Sequence, residues 1–134
     1  MNIGGYQPCS LCDYPGHVAA VVFTQGCNFR CPFCHNAALL PLTPDAVPII
    51  SEASILQRLG ARRRQLDAVV ISGGEPTLQP DLESFLREVR SLALRVKLDT
   101  NGSRPDVLSE LLEARGAVAR LHRDGRQGAL EPVR

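Results

Sequence analysis

The stretch Val18-Ala19-Ala20-Val21-Val22-Phe23-Thr24-Gln25-Gly26-Cys27 decides the fold. Its first six residues are all apolar, and three of them are valines, whose β-branched side chains suit a pleated sheet. An unbroken apolar run of this length predicts a strand that is covered on both faces, as strands are in parallel sheets. The strand runs directly into a glycine and a cysteine, so reactive side chains begin where the sheet ends.

Two further strands are predicted downstream, each with an unusual loop after it. Residues 68–71 (AVVI) form the second apolar run and end in Ser72-Gly73-Gly74-Glu75-Pro76, whose glycines and proline do not favour further strand pairing. Residues 95–98 (RVKL) form the third predicted strand, which ends in Asp99-Thr100-Asn101-Gly102.

Helices are predicted between and after these strands. Ser51 is placed to cap a helix that carries Ile55, Leu56 and Leu59 at helical spacing, and Asp81 to cap a second. Pro105 fits the first turn of a third helix. Alternation of strands and helices predicts an α/β fold, with a parallel sheet and outer helices. In such folds the carboxyl ends of the strands share one edge, so the three loops are expected to converge there.

Composition sets the general class of protein. The chain has 134 residues, of which 44% are hydrophobic, and 15 Lys and Arg face 14 Asp and Glu for a net charge of +1. We expect one globular domain that binds neither nucleic acid nor a membrane, because there is no charge excess and no apolar run near the ~20 residues of a membrane span. A cytoplasmic location is expected.

All five cysteines lie in the first quarter of the chain, and three of them form the pattern Cys27-x-x-x-Cys31-x-x-Cys34. Three thiolates on one loop can hold three irons of a 4Fe-4S cluster and leave the fourth iron open for a small molecule. The alternative is a zinc ion held by these cysteines and His35, although adjacent Cys34 and His35 are poorly placed to share one tetrahedral ion.

Taken together, these motifs resemble the radical S-adenosylmethionine (SAM) superfamily. The resemblance rests on residues 25–36 (QGCNFRCPFCHN), on Gly73-Gly74-Glu75-Pro76 and on Asp99-Thr100-Asn101-Gly102, and it runs from Ile3 to about Arg115. Residues 10–16 (SLCDYPG) leading into residues 23–26 make the chain most similar to activating proteins of anaerobic ribonucleoside-triphosphate reductase, with pyruvate formate-lyase activases next. The implied fold is the N-terminal half of a partial (β/α)6 radical SAM barrel.

The resemblance implies a role for each loop. Cys27, Cys31 and Cys34 would ligate the cluster, and SAM would chelate the open iron. The segment Gly73, Gly74 and Glu75 would receive the SAM amino group, and the glycines would allow the ligand a close approach to the backbone.

Two further assignments also have ordinary structural alternatives. Phe33 would lie near the adenine, or it would simply pack in the core. Asp99 and Thr100 would coordinate a monovalent cation near the SAM carboxylate, or they would simply form a turn.

Two segments stand outside this scheme. Cys9 and Cys12 form a C-x-x-C pair with no further cysteines to complete a site, and they are expected to be two small, half-buried residues; the alternative is a metal or disulfide role. Residues 116–134 show no apolar period, whereas a family member is expected to continue with a strand and an Asp-x-Lys segment. We therefore predict a radical SAM core over residues 1–115 and an aberrant tail over residues 116–134, out of frame or disordered. A shifted reading of the back-translated tail contains Asp-x-Lys, which supports a frameshift.

The function implied by the resemblance is reductive cleavage of SAM and formation of a glycyl radical on the large subunit of anaerobic ribonucleotide reductase. Flavodoxin or ferredoxin would supply the electron. The alternatives are a pyruvate formate-lyase type activase or another radical SAM enzyme, a non-catalytic metal module that binds zinc or carries electrons, and an inactive fragment.

Overall fold

A computed structural model describes residues 1–43, 48–114, 118–123 and 126–129, the last two ranges by their backbone alone. Strands are β1 (Ile3–Ser10), β2 (Ala19–Thr24), β3 (Ala68–Gly73), β4 (Arg95–Thr100), β5 (Val118–Arg123) and β6 (Arg126–Ala129). Helices are α1 (Glu52–Arg62), α2 (Leu82–Ser91) and α3 (Pro105–Glu113), and short 3-10 turns cover Ala37–Leu39 and Pro76–Leu78.

One six-stranded sheet contains the strands in the order β1-β2-β3-β4-β5-β6. Strands β2 to β5 are parallel, while β1 and β6 pair antiparallel with β2 and β5. The predicted α/β fold with a parallel sheet and outer helices is confirmed. Strand β1 was not predicted from the sequence, because its glycines and Pro8 are poor strand formers. Proline is tolerated there because β1 lies at the edge of the sheet.

The two faces of the sheet have different partners. On one face, Val22, Ile71 and Leu98 pack with buried side chains of all three helices, including Leu59 and Phe85, and form the main core. The opposite face carries a smaller cluster. Its members are Ala19, Val21, Ala68 and Val70, with Tyr14 and Phe23 packed against them. Polar residues such as Lys97 and Asp99 alternate with the core residues of β4 and therefore face the side without helices.

Of the three predicted helix starts, two are confirmed. Ser51 has extended backbone angles, and its side chain accepts a hydrogen bond from the backbone N–H of Ser54 at 3.2 Å. Pro105 is in the first turn of α3, as predicted. The prediction for Asp81 was wrong. Its backbone is not extended, and its carboxylate lies 3.5 Å from the Met1 amino group instead of capping α2.

Beyond α3 the backbone of β5 pairs with β4 from Lys97↔Val118 to Thr100↔Leu121, and β6 follows it. The predicted domain boundary falls at residues 115–117, which lie outside the described residues. The boundary and the frameshift therefore stay predictions. Among the described residues, no helix combines the length and the apolar character that crossing a membrane requires.

Candidate functional site

The carboxyl ends of β2 and β3 are joined side by side. Thr24 is in register with Gly73, the last residue of β3. Past the strands, the backbone N–H of Gly74 donates to the carbonyl oxygen of Thr24 at 2.9 Å, and that of Glu75 donates to Gly26 at 2.8 Å. The glycine-rich loop is therefore bonded directly to the start of the cysteine loop, as the predicted convergence requires.

Gly73 and Gly74 are required by this close contact between backbones. Gly73 has a φ of +114°, and a Cβ atom added there would lie 2.4 Å from the backbone nitrogen and oxygen of Thr24. A Cβ atom on Gly74 would lie 2.2 Å from the carbonyl oxygen of Gly26. The glycines were also predicted to allow a ligand a close approach to the backbone, and that role stays a prediction. In the structure, the space that a side chain would need at Gly73 and Gly74 is filled by the backbone of residues 23–26.

Glu75 is completely buried, and its carboxylate links the loop after β3 to the end of β4. Oε1 accepts hydrogen bonds from the backbone N–H and the hydroxyl of Thr77, and from the hydroxyl of Thr100 at 2.7 Å. Oε2 accepts the backbone N–H of Asn101 at 2.6 Å. A buried carboxylate needs such donors to offset its lost hydration. The Glu75 side chain therefore joins the ends of β3 and β4, and its predicted part in receiving the SAM amino group stays a prediction.

The cysteine loop is anchored mainly through its backbone. The N–H of Cys27 donates to the carbonyl oxygen of Leu40 at 3.2 Å, and that of Cys34 donates to Cys31 at 3.1 Å in a tight turn. The guanidinium of Arg30 donates to the carbonyl oxygen of Cys27 at 2.8 Å and to its neighbour Phe29 at 2.9 Å. These bonds fix the backbone of the loop that carries the three thiols.

The three thiols differ in exposure. Cys27 is 7% exposed, whereas Cys31 and Cys34 are half-buried. Burial raises the pKa of the Cys27 thiol, and the charges of Glu75, Cys31 and Cys34 add to this, while the backbone N–H of Phe29 opposes it. Cys27 is thus a thiol whose deprotonation is disfavoured until a metal binds it.

The arrangement bears on which metal group these thiols would hold. In the part of the chain that the structure describes, no three His, Cys, Asp or Glu side chains converge on a point where one metal ion could bind. A zinc site needs four donors about 2.0–2.3 Å from a single ion. In a 4Fe-4S cluster each thiolate binds a different iron, so the sulfur atoms need not converge. Three thiols on one loop match the three protein ligands of a 4Fe-4S cluster that keeps one iron open.

Phe33 projects from the cysteine loop with 62% of its surface exposed. This excludes the alternative that its ring packs in the core. The ring is free to stack on a flat ligand, and its predicted place near the adenine stays a prediction.

Asp99 and Thr100 do not act as a pair in the structure. Thr100 bonds to Glu75, whereas Asp99 contacts Lys97, with Lys97 Nζ 2.6 Å from Asp99 Oδ1. The ammonium of Lys97 donates a hydrogen bond to the backbone carbonyl oxygen of Asp13, also at 2.6 Å. Its contact with Asp99 is an ion pair that lacks the alignment of a hydrogen bond. Lys97 thus places a positive charge beside Asp99 in the structure. The cation site stays a prediction.

Three residues beside the site carried no predicted role, namely Asn101, Lys97 and Gln25. The side chain of Asn101 lies against Cys27 and Asn28. Lys97 and Gln25 are both buried. The backbone carbonyl oxygen of Gln25 accepts a hydrogen bond from Gln79 Nε2 at 2.8 Å. A polar residue at the buried end of a predicted strand is the sequence signal that points to such positions.

The prediction for Cys9 and Cys12 was wrong in one respect. Both are exposed free cysteines and not half-buried, because Cys9 lies on the edge strand β1 and Cys12 on the loop after it. The thiol of Cys12 lies 3.5 Å from the hydroxyl of Ser10.

Comparison with known proteins gives the class. The model of the radical SAM superfamily matches residues 21–122, which is more than half of the chain. The chain belongs to this superfamily, whose members are catalysts of oxidoreductase type that use a 4Fe-4S cluster and SAM.

Individual relatives have different activities. A Methanocaldococcus jannaschii protein, provisionally named a glycyl-radical enzyme activating enzyme, is 38% identical over 83% of this chain and 45% of its own length. A provisionally named GTP 3',8-cyclase of Thermococcus kodakarensis is 33% identical over 72% of this chain and 31% of its own. A 7-carboxy-7-deazaguanine synthase of Hyperthermus butylicus is 37% identical over 69% of this chain and 38% of its own. The chain thus spans less than half the length of these relatives.

Proposed function

We propose that the chain is the cluster- and SAM-binding half of an activase that forms a glycyl radical on the large subunit of anaerobic ribonucleotide reductase. The observation that carries the proposal is the loop with Cys27, Cys31 and Cys34, bonded to the Gly74-Glu75 segment at one edge of the parallel strands. The relative named for glycyl-radical enzyme activation supports the activase over other members of the superfamily.

Different residues of this chain would bind the cluster and SAM. Cys27, Cys31 and Cys34 would hold the cluster, which when bound supplies the electron that cleaves SAM into methionine and a 5'-deoxyadenosyl radical. The exposed ring of Phe33 would cover the adenine and exclude water from it. Glu75 would hold the loops after β3 and β4 in a fixed relation, and the segment Gly73-Gly74-Glu75 would receive the amino group of SAM. Flavodoxin or ferredoxin would be the reductant.

Anaerobic reconstitution with iron and sulfide tests the proposal. The expected result is a brown protein that cleaves SAM to 5'-deoxyadenosine with dithionite, and in which Cys27→Ala, Cys31→Ala or Cys34→Ala abolishes cleavage. Cys9→Ala is the matched control and should keep full cleavage, since Cys9 lies on β1 away from the loop. A colourless protein that retains zinc would favour the metal module, and insoluble material would favour the inactive fragment.

The relatives named as a GTP cyclase and a deazaguanine synthase favour a second candidate, a radical SAM enzyme whose substrate is a small molecule such as GTP. The two candidate functions differ in their substrate, which is a protein for the activase and a small molecule for the second candidate. Incubation of the reconstituted protein with anaerobic ribonucleotide reductase should give the doublet of a glycyl radical in electron paramagnetic resonance. Turnover of GTP without that doublet would replace the activase with the second candidate.

A further inference from the structure

Asn101, which the proposed function leaves without a role, is held in one orientation beside Cys27. Its backbone N–H donates to Glu75 Oε2 at 2.6 Å, and its side-chain Oδ1 accepts the backbone N–H of Ser103 at 2.9 Å. A backbone N–H can only donate, so the partner of Ser103 must be the oxygen of the Asn101 amide. The other end of the amide is therefore NH₂, and its orientation follows from the hydrogen bonds.

This NH₂ group is directed at the cysteine loop. Asn101 Nδ2 lies 3.9 Å from Cys27 Sγ and donates to Asn28 Oδ1 at 3.0 Å. With the backbone N–H of Phe29 at 3.4 Å, it is one of two N–H donors recorded at this sulfur within the described residues. Donors matter more here than at Cys31 and Cys34, because Cys27 is the buried cysteine of the three.

We propose that Asn101 tunes the cluster by donating an N–H···S hydrogen bond to the Cys27 thiolate, which raises the reduction potential of the bound cluster. Reduction is the transfer of one electron from a low-potential donor, and it adds negative charge that an N–H donor stabilises. Hydrogen bonds to the sulfur ligands are an established means of setting such potentials. Glu75 holds Asn101 in place for this role, and the inference rests on the proposed function, since it requires that Cys27 ligate a cluster.

A potentiometric titration followed by electron paramagnetic resonance tests this on the reconstituted chain without SAM. Asn101→Leu removes the donor, and Asn101→Asp keeps the shape while placing carboxylate oxygens at the sulfur. At a fixed applied potential, the ratio of reduced to oxidised cluster should fall at least about threefold in Asn101→Leu, which is ~28 mV at 59 mV per tenfold. It should fall further in Asn101→Asp. Asn28→Leu is the matched control and should change the ratio less than about twofold, because Asn28 contacts Asn101 but not the sulfur.

The possible outcomes separate the two proposals. A wild-type chain that assembles no 4Fe-4S cluster overturns the proposed function, and this inference with it. A cluster whose potential is the same in wild type and both Asn101 variants overturns the tuning role alone. A shift in Asn28→Leu as large as that in Asn101→Leu does the same. If Asn101→Leu assembles no cluster, Asn101→Asp decides, and failure of both variants beside a normal Asn28→Leu assigns Asn101 to holding the loop and not to tuning.

Discussion

The cysteine loop after β2 and the loops after β3 and β4 meet at one edge of the sheet, but they are built in different ways. The β3 and β4 loops are tied by a fully buried carboxylate, that of Glu75, which accepts four hydrogen bonds. The cysteine loop is held by its backbone, and it presents Phe33 and two half-buried thiols towards solvent. The hydrogen bonds of the β3 and β4 loops are thus made within the protein, whereas the cysteine loop exposes groups that can bind a ligand. Substitutions in the first region should therefore cost stability, and those in the second should cost ligand binding.

The largest loss of stability is expected from Glu75→Ala. It leaves the N–H groups of Thr77 and Asn101 and two hydroxyls without their acceptor, and each buried unsatisfied donor costs about 1–3 kcal/mol. Rotation of the hydroxyls recovers part of this, so the free energy of unfolding should fall by about 4 kcal/mol in urea titration. Glu83→Ala is the control and should change it by less than about 0.5 kcal/mol, because its salt bridge with Arg87 is exposed. Equal losses in both variants would contradict the structural role of Glu75.

A smaller loss is expected from Gly74→Ala. The added Cβ atom would lie 2.2 Å from the carbonyl oxygen of Gly26, and because that atom is backbone it cannot rotate away. Overpacking of this kind typically costs about 1–3 kcal/mol, and we expect about 2 kcal/mol by urea titration. Gly60→Ala should have the opposite sign, with a gain of about 0.5–1 kcal/mol, since its Cβ atom would meet a side-chain atom of Leu92 at 3.8 Å inside helix α1. Both variants shifting in the same direction would be inconsistent with this packing.

Most of the fold could be predicted from the sequence, because apolar runs such as residues 68–71 report burial directly. Strand β1 could not be predicted this way. As an edge strand it contains Gly4, Gly5 and Pro8, and its pairing depends on β2, not on an apolar pattern of its own. The cap at Asp81 was also mispredicted, since the residue type suited a cap but the local backbone did not.

The candidate site was predictable where residue type determines chemistry, as for the three cysteines, and less so where geometry does. Gly73 and Gly74 were recognised, but their physical reason, contact with Thr24 and Gly26, depends on strand pairing across distant parts of the chain. The role of Lys97 also depends on contacts that the sequence does not reveal. Lys97 lies on a predicted strand, but its side chain contacts Asp99, two residues later, and Asp13, which is far away in sequence. A side chain that acts by contacting a residue far away in sequence produces no local sequence pattern. For this reason the role of Asn101 was not predicted.

Lys97→Met should lower the free energy of unfolding by about 1–2 kcal/mol. The buried ammonium neutralises Asp99 and donates to the Asp13 carbonyl oxygen, and its removal leaves a partly buried carboxylate without a counter-charge. Adding Asp99→Asn to the same chain should recover part of the loss, because it removes that charge. Arg95→Met, an exposed position on the same strand, should cost less than about 0.5 kcal/mol. A double variant less stable than Lys97→Met would refute the pairing.

The smallest effect on stability, and the clearest separation of the two regions, is expected from Phe33→Leu. With 62% of the ring exposed, its loss removes little packing, so the melting temperature of the chain should be unchanged. Aromatic stacking is worth about 0.5–1.5 kcal/mol, so SAM should bind the reconstituted variant about 5-fold more weakly in equilibrium dialysis. Phe29→Leu is the control, since Phe29 is another exposed ring on the same loop, and it should leave SAM affinity within about twofold. If Phe33→Leu instead lowered the melting temperature while SAM affinity stayed the same, the ring would belong to the folded scaffold, and the contrast between the two loops would fail at its most exposed residue.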